Sequence, residues 1–121
     1  MKSDTFHMSM LYDFYGELLT DKQKELFDLY YNEDLSLAEI AEHAGISRQG
    51  VRDAIVRAET AMEELEDKTG LLKRFMRLRE KIDAIEAAAA EIQKLNYRQY
   101  DNPELERLAG EIRTCAAALK E

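Results

Sequence analysis

One cysteine and one proline in 121 residues leave this chain with few covalent or conformational fixed points. Cys115 has no second cysteine to pair with, which excludes a disulfide framework and a cysteine-based metal site, so a reducing, cytoplasmic compartment is expected. Long apolar runs are missing too. The alanines at 87–90 fall far short of the ~18 residues that span a bilayer, and the opening MKSDTFHMSM lacks the apolar stretch of a signal peptide. No membrane insertion is expected. A glycine-rich phosphate loop is absent, no serine or cysteine has a base at motif spacing, and His7 and His43 stand isolated in sequence. Catalysis, a metal and a cofactor therefore find no support. Base is in deficit as well: 17 Lys and Arg face 25 Asp and Glu, a net charge of −8 that keeps the chain soluble and repels phosphate at long range. Any polyanion binding has to come from a local patch.

What is present is an apolar period near 3.6 with no alternating strand pattern, which predicts an all-α chain. Leu11, Phe14, Tyr15, Leu18 and Leu19 make one face of a first helix. Thr20 with Gln23 forms a capping box opening a second helix, which buries Leu26, Phe27, Leu29 and Tyr30. Ser36 with Glu39 repeats that signature, Leu35 can staple onto Ile40, and Gly45 ends a short third helix by accepting a left-handed backbone. Ser47 caps the fourth helix, with Ile46 and Val51 as a second staple.

A short helix, a glycine-containing turn and a longer helix make a helix-turn-helix unit. Val51, Ile55, Ala58 and Met62 share the inward face of the longer helix, whereas Gln49, Arg52, Asp53 and Val56 face outward with Arg48 and Arg57 at the margins. Arg and Gln early in such a helix are the residue types that bond bidentately to purine edges, so Arg48, Gln49, Arg52 and Arg57 are candidate nucleic-acid contacts. Between Ser36 and Ala58, however, Arg48, Arg52 and Arg57 are balanced by Glu39, Glu42 and Asp53. A structural or protein-binding helix pair stays open on the same residues.

The run LYDFYGELLTDKQKELFDLYYNEDLSLAEIAEHAGISRQGVRDAIVRAE, followed by LLKRF, resembles the YlxM family of small bacterial helix-turn-helix proteins, whose reading unit is similar to region four of sigma factors. The resemblance covers roughly residues 10–82 and rests on DFYG, LLTDKQ, LYY, DLSLAEIAE and ISRQ. It implies a regulatory or accessory role in the signal recognition particle pathway, with the particle's RNA or its GTPase subunit as partner. The chain departs from the family pattern at Gly50, Arg52, Ala54 and Val56, so the family's contact face does not carry over residue by residue.

A second patch lies at LLKRFMRLREKI, where Lys73, Arg74, Arg77, Arg79 and Lys81 face Glu80 alone, a local +4. Lys73, Arg77 and Lys81 recur every four residues; with Arg74 they read either as a stripe following phosphates of a structured RNA or as a solvated helix face. Downstream, Tyr97, Arg98 and Tyr100 have the chemistry to stack on unpaired bases, though loop aromatics are expected to pack down. Leu71, Phe75, Leu78, Ile82, Ile85, Ala89 and Ile92 are spaced by four and three, as are Leu105, Leu108, Ile112, Cys115 and Leu119. The break at 96–103 is short enough to fold the last helix back as an antiparallel hairpin; pairing between subunits is the alternative use of these seams, and a homodimer is expected. The acids of EELEDK and EIAEH have the spacing of exposed helix faces, with His43 on the solvent side.

The chain is thus read as a sigma region four-like helix-turn-helix domain (residues 1–69) followed by a long helix and helical hairpin (70–121) that contributes to dimerisation. Two functions stay open: a non-enzymatic nucleic-acid-binding regulator of DNA or of the particle RNA, or an adaptor whose acidic surface engages a basic protein of the particle.

Overall fold

The structure, a computed structural model, describes residues 2 and 4–121. Among the described residues the chain is all-α: α1 Thr5–Tyr15, α2 Asp21–Tyr31, α3 Leu37–Ala44, α4 Arg48–Thr69, α5 Leu71–Leu95 and α6 Pro103–Leu119. A 3-10 turn, Gly16–Leu18, follows α1, and a π-turn, Asn96–Tyr100, follows α5. Two compact units divide the chain, Met1–Leu72 and Lys73–Glu121.

Local chemistry sets the boundaries in the first unit. Thr20 accepts the Gln23 N–H at 3.1 Å while the Gln23 side chain accepts the Thr20 N–H at 3.0 Å, and Ser36 and Glu39 do the same at 3.1 Å each way. Both capping boxes satisfy two helix-end donors reciprocally. Gly45 closes α3 at φ 71, and Gly70 closes α4 at φ 62, conformations in which a Cβ would be strained. Ser47 accepts the Gly50 N–H at 2.9 Å. A Cβ on Gly50 would come within 3.1 Å of the Ser47 hydroxyl, so the glycine gives that cap room.

The core lies on one face of α4, against which α1, α2 and α3 all pack. Val51, Ile55, Ala58 and Met62 are fully buried with Leu11, Leu26, Phe27 and Ile40. Each large apolar side chain among them contributes roughly 1.5–3 kcal/mol by leaving water. Aromatic rings join α1 to α2: Tyr12 stacks on Phe27 at 4.8 Å, and Phe27 on Tyr31 at 4.5 Å.

Three apolar positions depart from the sequence reading. Phe14 and Leu18 do not share the buried face of Leu11, Tyr15 and Leu19; Leu18 is 70% exposed. For Leu18 the cause is the 3-10 turn at Gly16–Leu18, which replaces the expected α-helical progression after Tyr15; Phe14, within α1 itself, is exposed on the side of that helix away from the core. Met8, one turn before Leu11, is buried instead. Ile46, expected to staple onto Val51, remains 39% exposed.

In the second unit α6 returns antiparallel to α5. Lys120 pairs with Asp83 and Glu86, and Gln93 donates to Glu106 at 3.1 Å. The hydrophobic residues buried in this unit are small: Ala89, Ala109 and Ala116. The seams therefore do not close on each other as the heptad pattern suggested: Leu78, Ile85, Ile92, Leu108, Ile112 and Leu119 all remain exposed. Between the helices the buried positions are these alanines, and the larger side chains stay on one flank. The turn is fixed by Asn96, buried to 4% exposure, whose Nδ2 donates to the Asn102 carbonyl and whose Oδ1 accepts the Asn102 N–H, each at 2.8 Å.

Candidate nucleic-acid interface

The helix-turn-helix is α3, the turn through Gly45 to Ser47, and α4. With the inward face of α4 committed to the core, Arg48, Gln49, Arg52 and Arg57 are all exposed on its N-terminal half. The Ser47 cap takes the Gly50 N–H, and the first N–H groups of an α-helix have no intrahelical partner, so this end of α4 carries partial positive charge beside the arginines. Gln49 is held in place: its Nε2 donates to Asp53 Oδ1 at 2.9 Å. Bidentate contact with a base would require releasing that bond, at about 0.5–1.5 kcal/mol.

Charge changes sign along α4. After Arg57 come Glu59, Glu63, Glu64, Glu66 and Asp67. Sequence spacing marked the EELEDK acids as solvated, yet two of them are tied to α1. His7 Nε2 lies 2.9 Å from Glu63 Oε1, and the Tyr15 hydroxyl donates to Glu66 Oε1 at 2.6 Å. Glu66 also accepts the Leu72 N–H at 2.9 Å, capping the first turn of α5 across Gly70. Because Tyr15 gives its single proton to Glu66, the Thr69 hydroxyl at 2.6 Å is the donor toward Tyr15. Burial first, and then the Glu66 carboxylate, push the Tyr15 hydroxyl above the ordinary tyrosine range, which keeps it a donor at neutral pH. Glu59, 8% exposed, accepts from the Tyr31 hydroxyl at 2.9 Å. These partners lie 28 to 56 residues apart in sequence, and no local pattern announces them.

The basic stripe belongs to the second unit. Lys73, Arg74, Arg77 and Lys81 are exposed on α5. Since Lys120, just past the end of α6, pairs with Asp83 and Glu86, the stripe runs beyond the part of α5 that α6 covers. Arg79 lies on another side of the helix, where with Lys120 it holds the Asp83 carboxyl below the usual carboxylate range, Lys120 being the larger cause. Tyr97 and Tyr100 do not pack down as expected of loop aromatics; at the π-turn they stand 85% and 65% exposed. His43 is exposed on α3.

Among the described residues no group of three His, Cys, Asp or Glu is arranged to hold a metal, and no helix is long and apolar enough to cross a membrane.

A family model described as "Putative helix-turn-helix protein, YlxM / p13 like" (UPF0122) matches residues 2–101. A UPF0122 protein of Thermoanaerobacter sp. (strain X514) is 46% identical over 112 residues, covering 93% of this chain and 92% of that protein. One of Caldanaerobacter subterraneus subsp. tengcongensis is 53% identical over 85 residues, 70% of this chain and 73% of its own length. One of Listeria innocua serovar 6a is 44% identical over 87 residues, with 72% and 79% covered. The family match stops at Asp101, before α6, whereas the Thermoanaerobacter likeness spans enough of the chain to reach into it.

Proposed function

The chain belongs to the UPF0122 family of YlxM/p13-like helix-turn-helix proteins, and on that premise we propose that it is a non-enzymatic nucleic-acid-binding accessory factor of the signal recognition particle pathway. The observation that carries the reading is the N-terminal half of α4, where Arg48, Gln49, Arg52 and Arg57 project from a capped helix whose other face is fully buried. A rigid helix presenting Arg and Gln early in its length suits a groove edge or a phosphate run, while the acids from Glu59 onward confine contact to the first two or three turns. Three arginines supply few phosphate contacts, so affinity on this surface alone is weak and falls steeply with salt. Lys73, Arg74, Arg77 and Lys81 supply a second cationic surface suited to the backbone of a structured RNA, such as that of the particle. The pathway assignment follows the family resemblance.

A second reading has its own support. A groove along the latter half of α4, lined by Glu59, Glu63, Glu64 and Asp67 with Arg52 at one end, suits a basic protein segment, such as one on the particle's GTPase subunit.

Capture of partners from cell lysate on the full chain, with and without nuclease, separates the two. Enrichment of the particle RNA, with its loss on nuclease treatment, is the expected result. A protein partner retained equally after nuclease treatment, with no nucleic acid enriched, overturns the first reading in favour of the second.

A further inference from the structure

The two sides of the α5–α6 hairpin differ in chemistry. One groove between the helices is lined by Glu86, Gln93, Arg113 and Thr114; the other is lined by Ile82, Ile85, Leu108, Ile112, Cys115 and Leu119, with Glu111 its one charged residue. On the apolar side, Leu78, Ile85, Ile92, Leu108, Ile112 and Leu119 stand between 40 and 68% exposed. On α5, Leu78, Ile85 and Ile92 repeat every seven residues, the period of a helix that packs along its length on another helix. Together the six leave on the order of 500 Å² of apolar side chain in one strip, a large share of the roughly 800 Å² that each partner contributes to a standard interface.

Charge identifies the occupant. The hairpin is polarised along its length: residues 73–81 carry five basic groups against Glu80, net +4, beyond the end of α6. The opposite end, residues 91–111, carries Glu91, Asp101, Glu104, Glu106 and Glu111 against Lys94, Arg98 and Arg107, net −2. A strip that is apolar along its middle, basic at one end and acidic at the other is complementary to itself when turned end for end. A parallel pairing would set basic end on basic end. We propose that the apolar side of the hairpin is the interface between two copies of this chain, packed antiparallel about a twofold axis, with the basic overhang of each copy level with the net acidic 91–111 end of the other. Such an interface is isologous and closes at two copies. It stands independently of the nucleic-acid reading.

Sedimentation equilibrium of the full chain at micromolar concentration tests it. The expected mass is twice 14.0 kDa. Ile112→Lys, which places a charge in the strip, is expected to raise the dimer dissociation constant by about tenfold or more while leaving the helical circular dichroism unchanged. Leu119→Gln repeats the test near the end of α6, where folding depends least on the side chain. Thr114→Lys, on the polar groove, is expected to leave the mass unaltered. Carbodiimide coupling in a mixture of light and heavy-isotope chains is expected to join Lys73 or Lys81 of one copy to the 101–111 peptide of the other. A wild-type mass of one chain, or a dimer indifferent to both Ile112→Lys and Leu119→Gln, overturns the proposal. A dimer without the mixed-isotope cross-links overturns the antiparallel arrangement.

Discussion

Asn96 and Asn102 hold each other by two hydrogen bonds of 2.8 Å across the turn that reverses the chain between α5 and α6. Asn102 has a second task, its Oδ1 capping α6 by accepting the Glu104 N–H at 2.8 Å. One amide thus fixes the turn and aims the cap. Asn96→Ala removes both bonds from a buried position and is expected to cost about 2 kcal/mol, read as loss of amide hydrogen-exchange protection in residues 103–119. Asn96→Asp keeps the acceptor but sets a carboxylate oxygen against the Asn102 carbonyl at a buried position, and a loss at least as large as that of Asn96→Ala is expected. Unchanged protection in Asn96→Ala would show that helix packing alone closes the hairpin.

Tyr31 ties α2 to α4 through its bond to the nearly buried Glu59 carboxylate. Tyr31→Phe keeps the ring stack with Phe27 and removes only the hydroxyl, so the expected loss is about 1–3 kcal/mol in urea unfolding, with the dependence on denaturant unchanged. A change within about 0.5 kcal/mol would mean that the hydroxyl contributes nothing net there.

Capping by Glu39 predicts a pH dependence. The Ser36 N–H, and then its hydroxyl, hold the Glu39 carboxyl below the ordinary glutamate range of 4.5. A group depressed in the folded state contributes stability that is complete above the unfolded value and is lost as pH falls through the folded one. Thermal stability is therefore expected to fall on acidification below the ordinary glutamate range, and Glu39→Gln is expected to flatten that part of the profile. Identical profiles for the two proteins would contradict the assignment.

Much of the first unit is legible in sequence because its signals are local. Thr20 with Gln23, Ser36 with Glu39, Ser47 and Gly45 each act within a few residues of themselves, and Val51, Ile55, Ala58 and Met62 repeat along a single helix. What escapes depends on departures from ideal geometry or on distant partners. Leu18 turns outward because three residues of 3-10 helix follow Tyr15. Glu59, Glu63 and Glu66 resemble solvated acids until Tyr31, His7 and Tyr15 are folded against them. The seams left hairpin closure and pairing between subunits both open; in the folded hairpin Ala89, Ala109 and Ala116 are buried while the larger seam side chains stay exposed. Of the candidate site, sequence locates Arg48, Gln49, Arg52 and Arg57 on one helix end, and misses the bond from Gln49 to Asp53 that occupies one donor.

The RNA contact proposed for the basic stripe can be tested apart from α4. Arg77→Glu together with Lys81→Glu reverses charge at two exposed positions and is expected to abolish retention of structured RNA with helicity unchanged. Unaltered retention would remove the stripe from the interface.

The most direct measurement is the salt dependence of binding by the full chain to duplex DNA and to a structured RNA, compared between the wild type and a variant carrying Arg48→Ala, Arg52→Ala and Arg57→Ala. If α4 is the binding surface, log K falls linearly with log salt, the variant binds more weakly, and its slope is shallower by about one for each phosphate that an arginine no longer neutralises. Equal affinities and equal slopes on both nucleic acids would contradict the assignment of α4 as a nucleic-acid-binding helix.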